Sequence, residues 1–313
     1  MKQADDEGQI VFATNQVLPY VRFWPNQDTW HVSVDEAPQV HRHNTYQVPD
    51  THGLITDLIS LEPYNSVYSR VAIADEDAME QIARNINHDQ IYEEFRELSQ
   101  TLLNPHWASF VDTEKFEKLK AGKQEQLSVH SVLMPSVLEG FKSVHMSSAN
   151  FTDTMVYRLW SAKGVEFKED RTLTSSLRFQ EHKNGHLITI KYADERSWSR
   201  YRRLTKLDPT KDKETTVMDA IVQAAKATFS EEDFVWQANK GVSDTLFDGK
   251  GERLPNAPHG LNCYSHINNV AFLSSLNPTS DHFRFLETQG ISGPEVRRAI
   301  YHEVDRTPFR PDR

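Results

Sequence analysis

"TWHVSVDEAPQV", Thr29 to Val40, sets a short apolar run against an Asp-Glu pair and stops at Pro38. The short apolar run "WHVSV" predicts a buried strand, and a proline cannot extend its ladder because it has no backbone N–H. Two readings of Asp35 and Glu36 follow. Either the acids hold a metal and activate water beside a nucleotide, or Asp and Pro simply end the strand. The same chain carries Asp6-Glu7, Asp75-Glu76 and Asp194-Glu195, so an acid pair by itself does not decide. The rest of the sequence has to.

At 313 residues the chain has room for roughly two domains. A hydrophobic content of 38% supports packed cores rather than disorder. The formal charge of −10 argues against a basic coat for nucleic acid, although a local groove needs only a few clustered cations. Arg196, Arg200, Arg202, Arg203 and Lys206 form such a cluster, read either as a phosphate track or as a solvated helix face. With Cys263 as the single cysteine, no intrachain disulfide and no cysteine-based zinc site can form. No apolar stretch approaches the ~20 residues of a membrane helix. The start "MKQADDEGQ" is acidic where a signal peptide is basic, so a cytoplasmic protein with no membrane association is expected.

Along the chain, "QIVFAT" and "WHVSV" read as short strands with polar tips, and "HGLITDLISLE" reads equally as helix or strand. Met79, Ile82 and Ile86, then Ile91, Phe95, Leu98 and Leu102, predict helix over 75 to 103, stopped by Pro105. The spacing of Val129, Leu133, Val137 and Leu138 predicts another helix before a strand at "FKSVHMSSA". Beyond Gly164, "GHLITIKYA" reads as a strand and "SWSRYRRLTKL" as a basic amphipathic helix. Thr216, with Asp219 three residues on, opens a capped helix, and "DFVWQAN" and "NNVAFLSSL" read as buried strands. "GPEVRRAIYHEV" closes the pattern as a helix with Pro294 in its first turn. His41 and His43 in "VHRHN" place two imidazoles on one side of a strand, but a metal site needs further ligands.

Alternating strands and helices in two units predict α/β open sheets, divided as 1–163 and 164–313. In such sheets ligands bind beyond the carboxyl ends of the strands. The polar tips are then the places to look: Thr14-Asn15, Asp35-Glu36, Ser147-Ser148, Asn239-Lys240 and Asn277.

Taken in order, DEAP, SSAN (Ser147 to Asn150), QANK, "HGLNCYSHINNVAFLSSLNP" and a terminal Arg-x-x-x-Arg resemble the superfamily 2 nucleic-acid helicases, in particular phage- and plasmid-type DEAD/DEAH-like helicases. The resemblance implies two RecA-like lobes with parallel sheets, the first incomplete and carrying a mainly helical insertion at about residues 62–140. It implies that Asp35 holds the magnesium ion of MgATP and that Glu36 positions the attacking water. Ser147, Ser148 and Asn150 match the segment that couples the nucleotide site to lobe movement, with Asn150 where Thr is usual. Gly260 and Asn262 match the fifth motif, at phosphate or ribose. Arg306 and Arg310 match the sixth, whose guanidinium forks stabilise the transferring phosphate. Lys240, with Arg196, Arg200, Arg202 and Arg203, is expected at the nucleic-acid backbone.

The family's phosphate-cradling loop, Gly-x-x-x-x-Gly-Lys-Ser/Thr, is absent from the 313 residues. Gly249-Lys250-Gly251 lacks the Ser/Thr. The expectation is therefore a fragment or remnant of an ATP-dependent helicase or translocase acting on DNA, gripping ATP poorly by itself. The alternative is a catalytically inactive nucleic-acid-binding module that pairs with a chain supplying that loop. A metal-dependent nuclease built on Asp35 and Glu36 lacks further carboxylates at fitting strand tips.

Overall fold

The computed structural model describes residues 8–15, 17–21, 24–177, 183–208, 215–255, 262–276 and 278–304. In chain order the first elements are β1 (His31–Asp35), β2 (His41–Gln47), the single turn α1 (Gly53–Thr56), β3 (Ile59–Pro63) and β4 (Tyr68–Ile73). Then come α2 (Glu76–Arg84), α3 (Gln90–Leu102), β5 (Trp107–Asp112), α4 (Thr113–Lys120), β6 (Gln126–Leu133), β7 (Ser143–Ser147) and α5 (Met155–Ala162). Further on lie α6 (Arg171–Ser176), α7 (Arg200–Arg203), α8 (Val217–Phe229), β8 (Phe234–Gln237), β9 (Glu252–Arg253) and β10 (Asn269–Phe272). Helices α9 (Ser280–Thr288) and α10 (Gly293–Val304) close the chain. Two compact units result: one runs to Phe167 and takes in Thr279–Val296, and the other runs from Lys168 to Pro278 and takes in the chain from Arg297.

The first unit is organised by a five-stranded antiparallel sheet in the order β2-β6-β5-β4-β3. Strand side chains alternate between faces, so each strand serves two layers. One face gives Tyr46, Val71, Val111, Leu127 and Val129 to a core shared with Met79 and Ile82 of α2, Phe95 and Leu98 of α3, and Phe116 and Leu119 of α4. The opposite face carries His41, His130, Tyr68 and Phe110, all against Phe285 of α9. Helix starts are fixed locally. Asp75, Asp89 and Asp112 each accept a backbone N–H of the first turn, a cap worth about 1 kcal/mol. The pair Asp75-Glu76 thus begins a helix. The helical pattern expected over 75–103, which resumes after His88-Asp89, divides into α2 and α3 because Asn85 and His88 take left-handed backbone, at φ +38 and +55.

The second unit is built on a parallel sheet in the order β10-β8-β9. All four residues of β8 are buried, the mark of a strand covered on both faces. Its core joins Phe234, Trp236, Phe247 and Ala271 to Met218 and Val222 of α8. That helix starts with the reciprocal box expected from the sequence: Thr216 Oγ1 accepts the Asp219 N–H, and the Asp219 carboxylate accepts the Thr216 N–H. Gly251 sits at φ +66, and a β-carbon there would lie 2.5 Å from the Phe234 ring. Close packing requires a glycine, and no phosphate is needed to account for it.

The chain is mixed α/β with parallel pairing, but several expectations are corrected. Residues 62–140 hold β4, β5 and β6 beside α2, α3 and α4, so they are not mainly helical. Their strands form the antiparallel sheet where parallel pairing was expected. Residues 126–133 are the strand β6 rather than a helix, because Leu127 and Val129 face one layer while His130 and Val132 face the other. The "GHLITIKYA" strand is absent: a short 3-10 turn, Asn184–Leu187, leads into irregular chain with Ile190 exposed. The long basic helix shrinks to α7, because Lys206 bridges antiparallel to Thr216 and draws the chain out.

Candidate functional site

β1 and β7 pair in parallel, with Asp35 directly opposite Ser147 at their carboxyl ends. The ladder runs one residue further, since the Glu36 N–H donates to the Ser147 carbonyl at 2.8 Å. Asn15 Nδ2 donates to the Asp35 carbonyl at 2.9 Å and to that of Glu36 at 3.4 Å, which ties the tip of the "QIVFAT" segment to the acid pair. Glu36 takes φ +67, a left-handed conformation uncommon for a glutamate. The chain therefore turns sharply just past Asp35, leaving both acids exposed.

The SSAN segment follows at once. Asn150 takes φ +48 ahead of the 3-10 turn Phe151–Asp153. Asn visits this region far more readily than a β-branched residue does, which gives a local reason for Asn at this turn. Thr154 then caps α5 through the Tyr157 N–H. The expectation of a buried β1 is corrected. Val34 is buried, but His31, Ser33 and Asp35 are exposed, and among the described residues no third strand joins the pair.

In the second unit, Asn239 lies past the carboxyl end of β8. Its side chain donates to the Ser275 carbonyl at 2.7 Å and accepts the Ser275 N–H at 2.8 Å. Asn239 therefore fastens two strand ends together, with Lys240 exposed beside it. The basic cluster divides into two kinds of residue. Arg202 is largely buried and donates from Nε to the Asp194 carboxylate at 2.6 Å; Arg196 pairs with the same acid. The Arg196 backbone N–H, then the Arg202 and Arg196 side chains, hold Asp194 down to about 2. Asp194 is thus a clasp for the segment, and Arg202 and Arg196 are spent partly on it. Arg200 is exposed and Arg203 half-buried. Gly260, Arg306, Arg310, Asn277 and the side chain of Asn262 lie outside the described residues.

The sequence reading caught half of a third feature. His41 and His43 share one face of β2, as expected, and there they meet His130 of β6 and His282 of α9. His43 stacks on His130 at 4.2 Å, His130 stacks on Phe285 at 4.3 Å, and His282 meets His41 edge-on at 4.6 Å. His130 Nδ1 and His41 Nε2 lie 3.4 Å apart, while His43 Nε2 bonds Ser128 Oγ at 2.8 Å. Burial is the main cause that pushes all four imidazoles below the ordinary histidine value, His41 and His130 furthest and His282 to about 4. Rings stacked face to face direct their nitrogens edgewise instead of toward a common point. Among the described residues no group of three or more His, Cys, Asp or Glu is arranged to hold a metal ion. The cluster is a neutral aromatic core element. Pairing of β2 with β6 brings His41, His43 and His130 together, and packing of α9 adds His282.

Among the described residues no helix is long and apolar enough to cross a membrane. Compared with family models, curated proteins and solved structures, the chain finds no match in any of the three.

Proposed function

We propose that this chain carries the acid pair and the nucleic-acid contacts of an ATP-dependent helicase or translocase, working with polypeptide outside these 313 residues that supplies the phosphate loop. One observation carries the reading. Asp35 and Ser147 are register partners at the carboxyl end of a parallel strand pair, where α/β sheets place ligands. Glu36 held at φ +67 adds to it, since strained backbone gathers at sites of chemistry.

The residues fit magnesium in a limited sense. Mg²⁺ is commonly held by one or two carboxylates plus substrate phosphates and water, so an exposed Asp35 suffices only when a nucleotide brings the rest. Asp35 is then the metal-holding acid and Glu36 the acid that orients water. Bound MgATP supplies the transferable phosphoryl group. The exposed β1–β7 pair supports a partner polypeptide at this edge, because parallel strands are ordinarily covered on both faces.

A labelled single-stranded oligonucleotide titrated at several salt concentrations tests the reading. Weak, salt-dependent binding is expected, and its absence sinks the proposal. The inactive pairing module is the second reading, favoured by the missing Gly-rich loop. Coding DNA upstream of Met1 separates the two: an in-frame phosphate loop supports the helicase, and its absence supports the module.

A further inference from the structure

Residues 183–208 carry seven basic side chains against three acidic ones, in a chain of net charge −10. Within this stretch Tyr201 is 84% exposed. It is flanked by Arg200 on one side and by Arg202 and Arg203 on the other. The placement is built. Trp198 Nε1 donates to the Leu273 carbonyl at 2.8 Å, and the Trp198 ring packs on the second unit's core. Ser275 Oγ donates to the Trp198 carbonyl at 2.9 Å. Ser199 caps α7 through the Arg202 N–H, and Asp194 clasps Arg202 from the other side. Past the turn, the Val217 N–H donates to the Thr205 carbonyl at 2.9 Å. A large aromatic ring is thus held out to solvent on an anchored turn, inside the most cationic stretch of the unit.

We propose that Tyr201 is a base-stacking platform for single-stranded nucleic acid, with Arg200 and Arg203, one helical turn apart on α7, contacting the backbone phosphates. The inference rests on the nucleic-acid reading above and names its substrate class. The physical case is complementarity of two kinds at one place. Every base has a π-face that stacks on an aromatic ring whatever the sequence, and the phosphates between bases need nearby cations. Paired bases offer no free face, so the platform selects single strands. Arg202, tied to Asp194, positions the turn and leaves the phosphates to its neighbours. An anionic membrane would also attract these charges. It fits less well, because the four-residue turn α7 is too short to lay an amphipathic helix face into a lipid interface.

The test is fluorescence anisotropy of fluorescein-labelled (dT)20 across a salt series, with a 20-base-pair duplex in parallel. Stacking and charge have separate signatures, since stacking moves the affinity at every salt concentration and phosphate contacts set the slope. Tyr201→Ala is expected to weaken (dT)20 binding about fivefold to tenfold with the slope unchanged, and to leave duplex binding as it was. Tyr201→Phe is expected to bind like the wild type, since it keeps the ring. Salt-dependent (dT)20 binding that is indifferent to Tyr201→Ala overturns the platform and spares the nucleic-acid reading. An equal loss on duplex also overturns the platform. Wild-type protein that binds neither probe overturns both. Binding to phosphatidylserine vesicles that falls in Tyr201→Ala while (dT)20 binding holds assigns the ring to lipid and overturns the proposal.

Discussion

Asp35 and Ser147 face each other across the parallel ladder of β1 and β7, and the Glu36 N–H closes on the Ser147 carbonyl at 2.8 Å. The whole antiparallel sheet of the first unit lies between them in sequence. Their juxtaposition is therefore a property of topology, and it sets two acids and a serine-rich turn at one strand edge.

The sequence holds no Gly-x-x-x-x-Gly-Lys-Ser/Thr loop to cradle a triphosphate there. Residues 1–313 by themselves are expected to show no appreciable ATP hydrolysis, with or without nucleic acid, because two carboxylates repel a triphosphate unless a metal and backbone donors intervene. A phosphate-release assay checks this. Robust magnesium-dependent turnover that disappears in Glu36→Gln would show that some segment of this chain holds the phosphates after all.

For the basic cluster, binding to single strands is expected to weaken with salt at a log–log slope of about −2 to −3, for ~3–4 phosphate contacts. Replacing Arg200 and Arg203 together by Ala is expected to flatten the slope by about 1 to 1.5. Arg202→Ala is expected to behave differently, lowering thermal stability by releasing Asp194. A double variant with an unchanged slope would make the cluster a solvated face.

The buried histidines give a stability signature with a definite sign. Their folded-state values are depressed by burial, so the folded chain keeps them neutral while the unfolded chain titrates near 6.5. Below that pH the unfolded state binds more protons, and stability is lost as pH falls. Each histidine contributes a slope of up to about 1.4 kcal/mol per pH unit. For His282 the loss runs from 6.5 down to about 4, and for His41 and His130 it continues lower. Urea midpoints between pH 7.5 and 5 measure it. His130→Phe keeps the stack on His43 and Phe285 but removes one titration, and is expected to make the dependence shallower by about one proton. An unchanged pH dependence in His130→Phe would show that His130 is not the group being titrated.

Gly251→Ala is expected to destabilise the second unit by about 2–4 kcal/mol, combining overpacking with a left-handed backbone. The added methyl would lie 2.5–2.8 Å from three Phe234 ring carbons. Denaturation followed by near-ultraviolet circular dichroism, sensitive to Trp236 and its neighbours, reads the change. A shift under about 0.5 kcal/mol, the range of an ordinary surface substitution, would mean that the Phe234 ring moves aside freely.

Local signals in the sequence were sufficient wherever the chemistry was local. Thr216 and Asp219 wrote the start of α8, Pro294 lies in the first turn of α10, and β8 was visible as a buried strand; β10 was visible as a strand, but only Ala271 in it is buried and Phe272 is exposed. The same rules misread β6, because a strand covered on both faces shows no polar stripe and Val129 and Leu133 then fit a helical period as well. They could not foresee that β4, β5 and β6 would pair antiparallel, since pairing direction depends on partners distant in the chain. The candidate site divides along the same line. Polar strand tips, including Asp35, Ser147 and Asn239, could be read residue by residue, as could the two imidazoles on β2. The polar tips of Asp35 and Ser147 were expected at one edge of one sheet and lie there; only tertiary structure decided the register that sets them opposite each other, that Asp194 engages Arg202, and that His130 and His282 join His41 and His43. Caps and alternation act over a few residues and are encoded where they act, whereas register and side-chain gathering arise only after long loops have closed and cores have packed.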